Sequence, residues 1–331
     1  MPSQTDPGAS SPSPDRTSSG QLSPHDAVFR RIFGVPANMA SQLRAVLPPT
    51  LVSRLDLAQL APVPGTFIDE SLKRRHSDLL FTAPLDGRDA FVYLLAEHQS
   101  SSDPLMAFRM LRYVTRIWDR YLEEHPRTRR LPAVIPLVVH HGRGRWASPV
   151  QLLDLIDLTP AARADMEAYL PRFGYLLDDL AGTDGAQLRN RELTPPALIT
   201  LLLLKTAPGN PRLPDELRPW KDQLRAVLDQ PGGGEAFLAL LTYIELVSET
   251  PDSELRDLAA SLGPDAEEAY MTTAEMLKAS GRAEALVEML TVKFGPLPDS
   301  VPQKVHGASV TQIKAWAARA VTAETLDQIF G

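Results

Sequence analysis

Short apolar runs broken by turn formers dominate residues 77–99, and the rest of the chain is arranged around them. Residues 77–81 (Ser-Asp-Leu-Leu-Phe) and 92–99 (Val-Tyr-Leu-Leu-Ala-Glu-His-Gln) each read as a short β-strand, bounded by Pro84 and by Asp86-Gly87. The Asp-Gly step is a hairpin signal, so the two strands are expected to pair antiparallel. That pairing brings Asp78 near the C-terminal end of the second strand. Side chains alternate along a strand, which puts Glu97 and Gln99 on one face.

Upstream, the pattern predicts a helix opening at 23–26 with Val28, Phe29, Ile32 and Phe33 as its apolar stripe, and a second helix near 37–47 that stops at Pro48-Pro49. Ser23 or Asp26 could cap this helix. Residues 51–64 are amphipathic but broken by proline, and stay ambiguous. Residues 66–72 read as a further strand, with Asp69 as a third acidic contributor or an exposed strand-end carboxylate.

Residues 104–122 predict the most informative helix. At about 100° per residue, Arg109, Arg112, Arg116 and Arg120 share a sector roughly 80° wide, while Met110, Leu111, Val114, Ile117, Trp118 and Tyr121 lie opposite. Such a face either contacts phosphate groups or is a solubilising surface partly paired with Asp119 and Glu123. Residues 131–141 read as a strand buried on both faces. The adjacent His140 and His141 point in opposite directions on a strand, so they belong to structure or to a substrate edge rather than to a two-histidine metal site. Beyond 195 the pattern is mainly helical, punctuated by proline and glycine.

Composition narrows the classes. The 331 residues contain no cysteine, which excludes disulfides, thiolate catalysis and cysteine-based metal sites. No apolar run is long enough to span a bilayer and no leader pattern is visible at the start, so a cytoplasmic location without membrane contact is the expectation. Residues 1–23, rich in Ser, Pro and Gly, read as a disordered arm. The net charge of −7 is unevenly spread. Residues 72–145 hold thirteen Lys and Arg against eight Asp and Glu, whereas 146–331 hold sixteen against twenty-seven. A basic segment, including Lys73 and Arg74, therefore surrounds the acidic strand ends, as a phosphate-binding surface requires. Phosphate-loop, dinucleotide and serine-elbow motifs are absent from the sequence.

Two carboxylates on neighbouring strands with a polar third member suit a hard, hydrated cation. Asp78 followed by Glu97-His98-Gln99 resembles the D…(D/E)-x-K arrangement of PD-(D/E)xK nucleases. The wider set is closer still to the recombination-promoting nuclease (Rpn) group, also labelled YhgA-like transposases. That set is His25-Asp26-x-x-Phe29-Arg30, Phe67-Ile68-Asp69, Ser77 to Leu80, Glu97 to Ser101, and Met106-x-x-Arg109-x-x-x-Tyr113. The resemblance covers roughly residues 24–150, and more loosely extends to about 290. It implies a restriction-endonuclease-like α/β fold, a mixed central sheet flanked by helices, over 24–150. A mainly helical extension over 151–280 and a small helical module over 281–331 follow.

The resemblance further implies a metal-dependent DNA endonuclease that promotes recombination or mobile-element movement. Asp78 and Glu97, with the His98 carbonyl, would hold Mg²⁺ or Mn²⁺, and Gln99 would position water. Lys73, Arg74, Arg109, Arg112 and Arg116 would contact DNA, supported by Asp26 and Tyr113. Gln99 stands where the general pattern has lysine, and it brings no positive charge. The C-terminal module points to self-association. Two rivals stay open: a degenerate nuclease that binds DNA without cutting it, and a protein-interaction module whose acidic helical half recruits a partner.

Overall fold

The computed structural model describes residues 23–63, 79–97, 103–142, 144–323 and 325–330, without the side chains of residues 94–97 and 322. Five strands, β1 (Ala61–Pro62), β2 (Leu79–Leu85), β3 (Arg88–Glu97), β4 (Ala133–His140) and β5 (Leu176–Asp179), form one mixed sheet in that order. β1, β2 and β3 pair antiparallel, whereas β4 runs parallel to β3 and β5 parallel to β4. The expected hairpin is present, with Leu79 opposite Leu94 and Leu85 opposite Arg88. Asp86 and Gly87 form its two-residue turn at φ of 51° and 73°, the left-handed pair that matches strand twist. Arg54 donates to the Asp86 carboxylate and holds its pKa below the usual carboxylate range, chiefly through that hydrogen bond. Gly87→Ala should lower stability by about 1 kcal/mol, because a Cβ is strained in this region. The urea midpoint reads the change, and an unshifted midpoint would mean that the turn relaxes to another type.

β2 does not stop at Pro84 as the pattern predicts. The missing N–H is tolerated because β1 pairs only as far as Thr82, and the Pro84 carbonyl instead accepts from the Asp56 N–H at 2.8 Å. The ambiguous stretch that begins at 51 resolves into short helical turns and the two-residue strand β1. The expected strand over 66–72 lies outside the described residues.

Alternation along the strands sends two sets of side chains to two cores. Phe81, Ala83, Val92, Leu137 and Val139 face the larger core. There they meet helices α1 (Pro24–Phe33), α2 (Pro36–Val46) and α4 (Pro195–Thr206). Leu80, Phe91, Tyr93 and Val138 face the opposite side, which α3 (Met106–Glu124) covers. This is the expected α/β sandwich. α4 is buried over Pro196 to Leu204, as an all-apolar helix must be. α3 connects β3 to the parallel strand β4, the crossover that a parallel pair requires. Burial of Met106, Met110, Tyr113, Val114 and Ile117 fixes it to the sheet. Each large buried side chain contributes about 1.5–3 kcal/mol, far above the ~0.3–0.5 kcal/mol of a surface pair such as Arg120–Glu124.

The sheet continues past residue 150, where the first domain is expected to end, because β5 at 176–179 pairs with β4. The larger core is likewise continuous from Val28 in α1 to Ala274. It takes in α5 (Lys221–Leu228), α6 (Gly233–Val247), α7 (Asp252–Leu262) and the first half of α8 (Pro264–Phe294). The second half of α8 belongs to a separate core. There Ala283, Leu286 and Leu290 pack with Val305 and with Ile313 and Trp316 of α9 (Val310–Thr322). Among the described residues no helix is long and apolar enough to cross a membrane.

Candidate active site

The C-terminal ends of β3 and β4 lie side by side, with Glu97 in register with His140 and His140 in register with Asp179. Asp78 directly precedes β2. The side chain of Glu97, together with Asp69, Lys73, Arg74, Asp78, His98 and Gln99, lies outside the described residues. Among the described residues no group of three or more His, Asp or Glu is placed to hold a metal ion.

The groups around these strand ends are fixed from several directions. His140 is buried at 1% exposure, and its Nε2 donates to the Gly144 carbonyl at 3.0 Å. That bond assigns the Nε2 proton, while Nδ1 is buried and has no hydrogen-bond partner among the described residues. The His140 ring meets Trp146 edge-on at 5.0 Å. His141 turns the other way, towards His25 at the start of α1, with ring centroids 5.4 Å apart. The opposed directions expected of the two histidines are therefore observed. His25 Nδ1 also meets the Tyr243 hydroxyl of α6 at 2.8 Å. Burial pushes the Tyr243 phenol well above its ordinary pKa.

Ser23, rather than Asp26, caps α1: its hydroxyl accepts from the Asp26 N–H at 3.2 Å. Phe29 is wholly buried and packs on Phe33 at 4.7 Å. The side chain of α1 that touches the β4 end is therefore His25. Its signal in the sequence is only its place beside Asp26, and the residue that fixes it lies 218 positions away.

Along α3 the arginines divide. Arg109 is not on an open face. Its Nε donates to the Tyr113 hydroxyl at 3.1 Å and its Nη1 to Asp103 at 3.2 Å, with only 12% of the side chain exposed. Tyr113 in turn packs on Tyr93 at 5.2 Å, so the strand orients the tyrosine and the tyrosine orients Arg109. Arg120 pairs with Glu123 and Glu124. Of the partners expected for this face Glu123 is used, and Asp103 and Glu124 are added to it. The helix periodicity could show Glu123 and Glu124, but Asp103 precedes the helix and lies outside that period. Arg112 is exposed and Arg116 half-buried, and neither forms an ion pair among the described residues.

Tyr175, just before β5, donates to the Pro149 carbonyl at 3.3 Å. Burial pushes its phenol up to about 12, against a lowering from its Trp146 hydrogen bond and with a still smaller raise from the nearby Asp103 charge. A folded-state pKa above the unfolded value adds stability that is complete below about pH 10 and is lost as pH rises through about 12. Absorbance titration should show a phenolate phase near pH 12, ahead of the more strongly raised Tyr243, whose amplitude Tyr175→Phe lowers by one tyrosine. An unchanged amplitude in that variant would assign the phase elsewhere.

On the other face of the sheet Asp178 of β5 is buried, with 3% of its side chain exposed. It receives both Arg191 Nη atoms at 2.8 Å and Gln42 Nε2 of α2 at 2.6 Å. This network locks β5 and α2 beneath the strand ends.

A mixed five-stranded sheet with helices on both faces is consistent with an α/β fold of the nuclease-like kind. The chain belongs to the family described as "Putative transposase, YhgA-like", whose model matches residues 23–231. It is 37% identical over 119 residues to "Recombination-promoting nuclease RpnD" of Escherichia coli O157:H7, covering 36% of this chain and 45% of that protein. It is 34% identical over 119 residues to "Recombination-promoting nuclease RpnA" of Escherichia coli K12, covering 36% and 40%. Against "Inactive recombination-promoting nuclease-like protein RpnE" of the same strain it is 36% identical over 126 residues, covering 38% and 42%. The matches thus span less than half the length of these relatives. No solved structure gives a significant match.

Proposed function

We propose that the protein is a metal-dependent DNA endonuclease that hydrolyses phosphodiester bonds. The observation that carries the reading is the β2–β3 register. Leu79, which directly follows Asp78, pairs with Leu94, three residues before Glu97. Both acidic positions therefore belong to the same end of the hairpin, beside the connection into α3. The names of the relatives, recombination-promoting nucleases, support the same chemistry.

In this reading Asp78, Glu97 and the His98 carbonyl hold Mg²⁺ or Mn²⁺, an all-oxygen donor set that fits such an ion. When bound, the ion supplies Lewis-acid polarisation of the phosphate and a lower pKa for the attacking water. Gln99 orients that water through its amide. Arg109, committed to Tyr113 and Asp103, would act by holding the start of α3 in place beside the acidic strand ends. Arg112 and Arg116 follow the strand along the exposed edge of α3, joined by Lys73 and Arg74. Asp26 sits in the first turn of α1 and would support the site through its neighbour His25, which meets His141 at the end of β4. Recombination or mobile-element movement is the setting that the family names suggest.

A plasmid-nicking assay with and without Mg²⁺ tests the reading: nicking that requires the ion is expected, and its absence at every divalent-ion concentration would reject it. Arg112→Ala with Arg116→Ala should flatten the slope of log affinity against log salt by about 0.9 per lost contact. An unchanged slope would remove these two residues from the interface.

A second reading has its own support. Gln99 carries no charge in the lysine position, and a relative at 36% identity is named inactive. In that case the protein binds DNA without cutting it, and its affinity is indifferent to divalent ions.

A further inference from the structure

A cleft of about 590 Å³ lies away from the acidic strand ends, within the ~300–1,000 Å³ range of small-molecule sites. It sits between the C-terminal end of α3 and the outer strands, with Thr82, Asp89, Phe91, Tyr121 and His125 in its walls. Ala90 and Glu97 are seven residues apart on β3, so the cavity is about 23 Å from the candidate metal site.

Its wall is a built aromatic platform. The His125 and Tyr121 rings stack at 4.2 Å and 23°, and Phe91 meets Tyr121 edge-on at 6.1 Å. His125 Nδ1 donates to the Tyr121 carbonyl at 3.0 Å, which fixes the imidazole, and His125 is exposed. The chain then turns back sharply, as the Thr128 N–H donates to the His125 carbonyl at 2.9 Å and the Thr128 hydroxyl to the Arg130 carbonyl at 3.1 Å. Trp118 Nε1 anchors the exit on the Pro132 carbonyl at 2.9 Å. This rigid loop displays Arg127, Arg129 and Arg130, all exposed and without ion pairs among the described residues. Of the acidic groups in the cavity, Glu124 is already paired with Arg120. Asp89 is the remaining carboxylate, an acceptor suited to the N–H edge of a base.

An aromatic face for stacking beside uncommitted guanidinium groups on a fixed loop is what a nucleotide requires. We propose that this cavity holds an unpaired nucleotide of a DNA strand. Its base stacks on His125 with its polar edge towards Asp89, and its phosphates rest on Arg127, Arg129 and Arg130. The pocket chemistry selects a nucleotide, and the choice of a DNA strand rests on the nuclease reading above. A base inside a duplex cannot reach this wall, so the site favours single-stranded or frayed DNA.

Fluorescence anisotropy of the full chain with a labelled single strand and a blunt duplex of the same sequence tests the site. EDTA is kept present, so that the outcome is independent of whether the acidic site cuts. His125→Ala should weaken single-strand binding by about 5- to 150-fold, from about 1–3 kcal/mol per stacked base, and leave duplex binding within about twofold. His125→Phe, which keeps the aromatic face, should restore most of the affinity. Replacing Arg127, Arg129 and Arg130 by alanine should flatten the single-strand salt slope by about 0.7 per contact. Single-strand affinity untouched by His125→Ala, or equal losses for strand and duplex, would overturn the proposal.

Discussion

Asp78→Ala or Glu97→Ala is expected to remove Mg²⁺-dependent nicking while the chain keeps its fold. The proposed ion contributes several kcal/mol to the transition state, and each 1.36 kcal/mol is tenfold in rate. Loss of a ligand should therefore lower the nicking rate about a thousandfold or more. Both positions are at strand ends, where Asp78 precedes the first β2 pair and Glu97 is the last of β3. The hydrophobic pairing of the hairpin does not depend on either carboxylate, and the thermal midpoint should change little. Nicking and midpoint measured on the same preparations separate the two effects. Wild-type cleavage by either purified variant would reject the assignment of that residue.

Arg191→Ala should produce the largest loss of stability. Asp178 is almost wholly enclosed, and Arg191 supplies two of the three bonds to its carboxylate. Removing one partner of a buried pair costs about 3–5 kcal/mol, because a charge is left in a poor medium. Replacing both members by apolar residues, Arg191→Met with Asp178→Leu, should recover much of that loss. Urea denaturation reads both variants. A loss below about 1 kcal/mol for Arg191→Ala would mean that water reaches Asp178.

The hairpin was legible because its signals are local. Apolar alternation and an Asp-Gly turn specify β2 and β3 without reference to the rest of the chain, and the register follows. α3 was legible for the same reason, since a 3.6-residue period over nineteen residues admits one reading. β5 was not. It has four residues, and its central Asp178 resembles a surface carboxylate until Gln42 and Arg191, 136 and 13 positions away, are placed beside it. A buried charge with distant partners leaves no periodic trace.

The same limit explains the arginine face. Periodicity puts Arg109 and Arg112 on one sector, yet Arg112 is exposed while Arg109 is committed to Asp103 in the preceding loop. The cap of α1 was half legible: the pattern fixes the helix start at 23–26, and the Ser23 hydroxyl that accepts from the Asp26 N–H settles which residue caps it. The aromatic wall at Phe91, Tyr121 and His125 combines a strand and a helix end that no spacing rule connects.

The long helix α8 contributes to the large core through Ala266, Tyr270 and Ala274 and to the separate C-terminal core through Ala283, Leu286 and Leu290. A rod common to both bodies behaves as an axle, where a flexible tether would act as a swivel. Whatever grips the far bundle therefore also sets the heading of the sheet-bearing half.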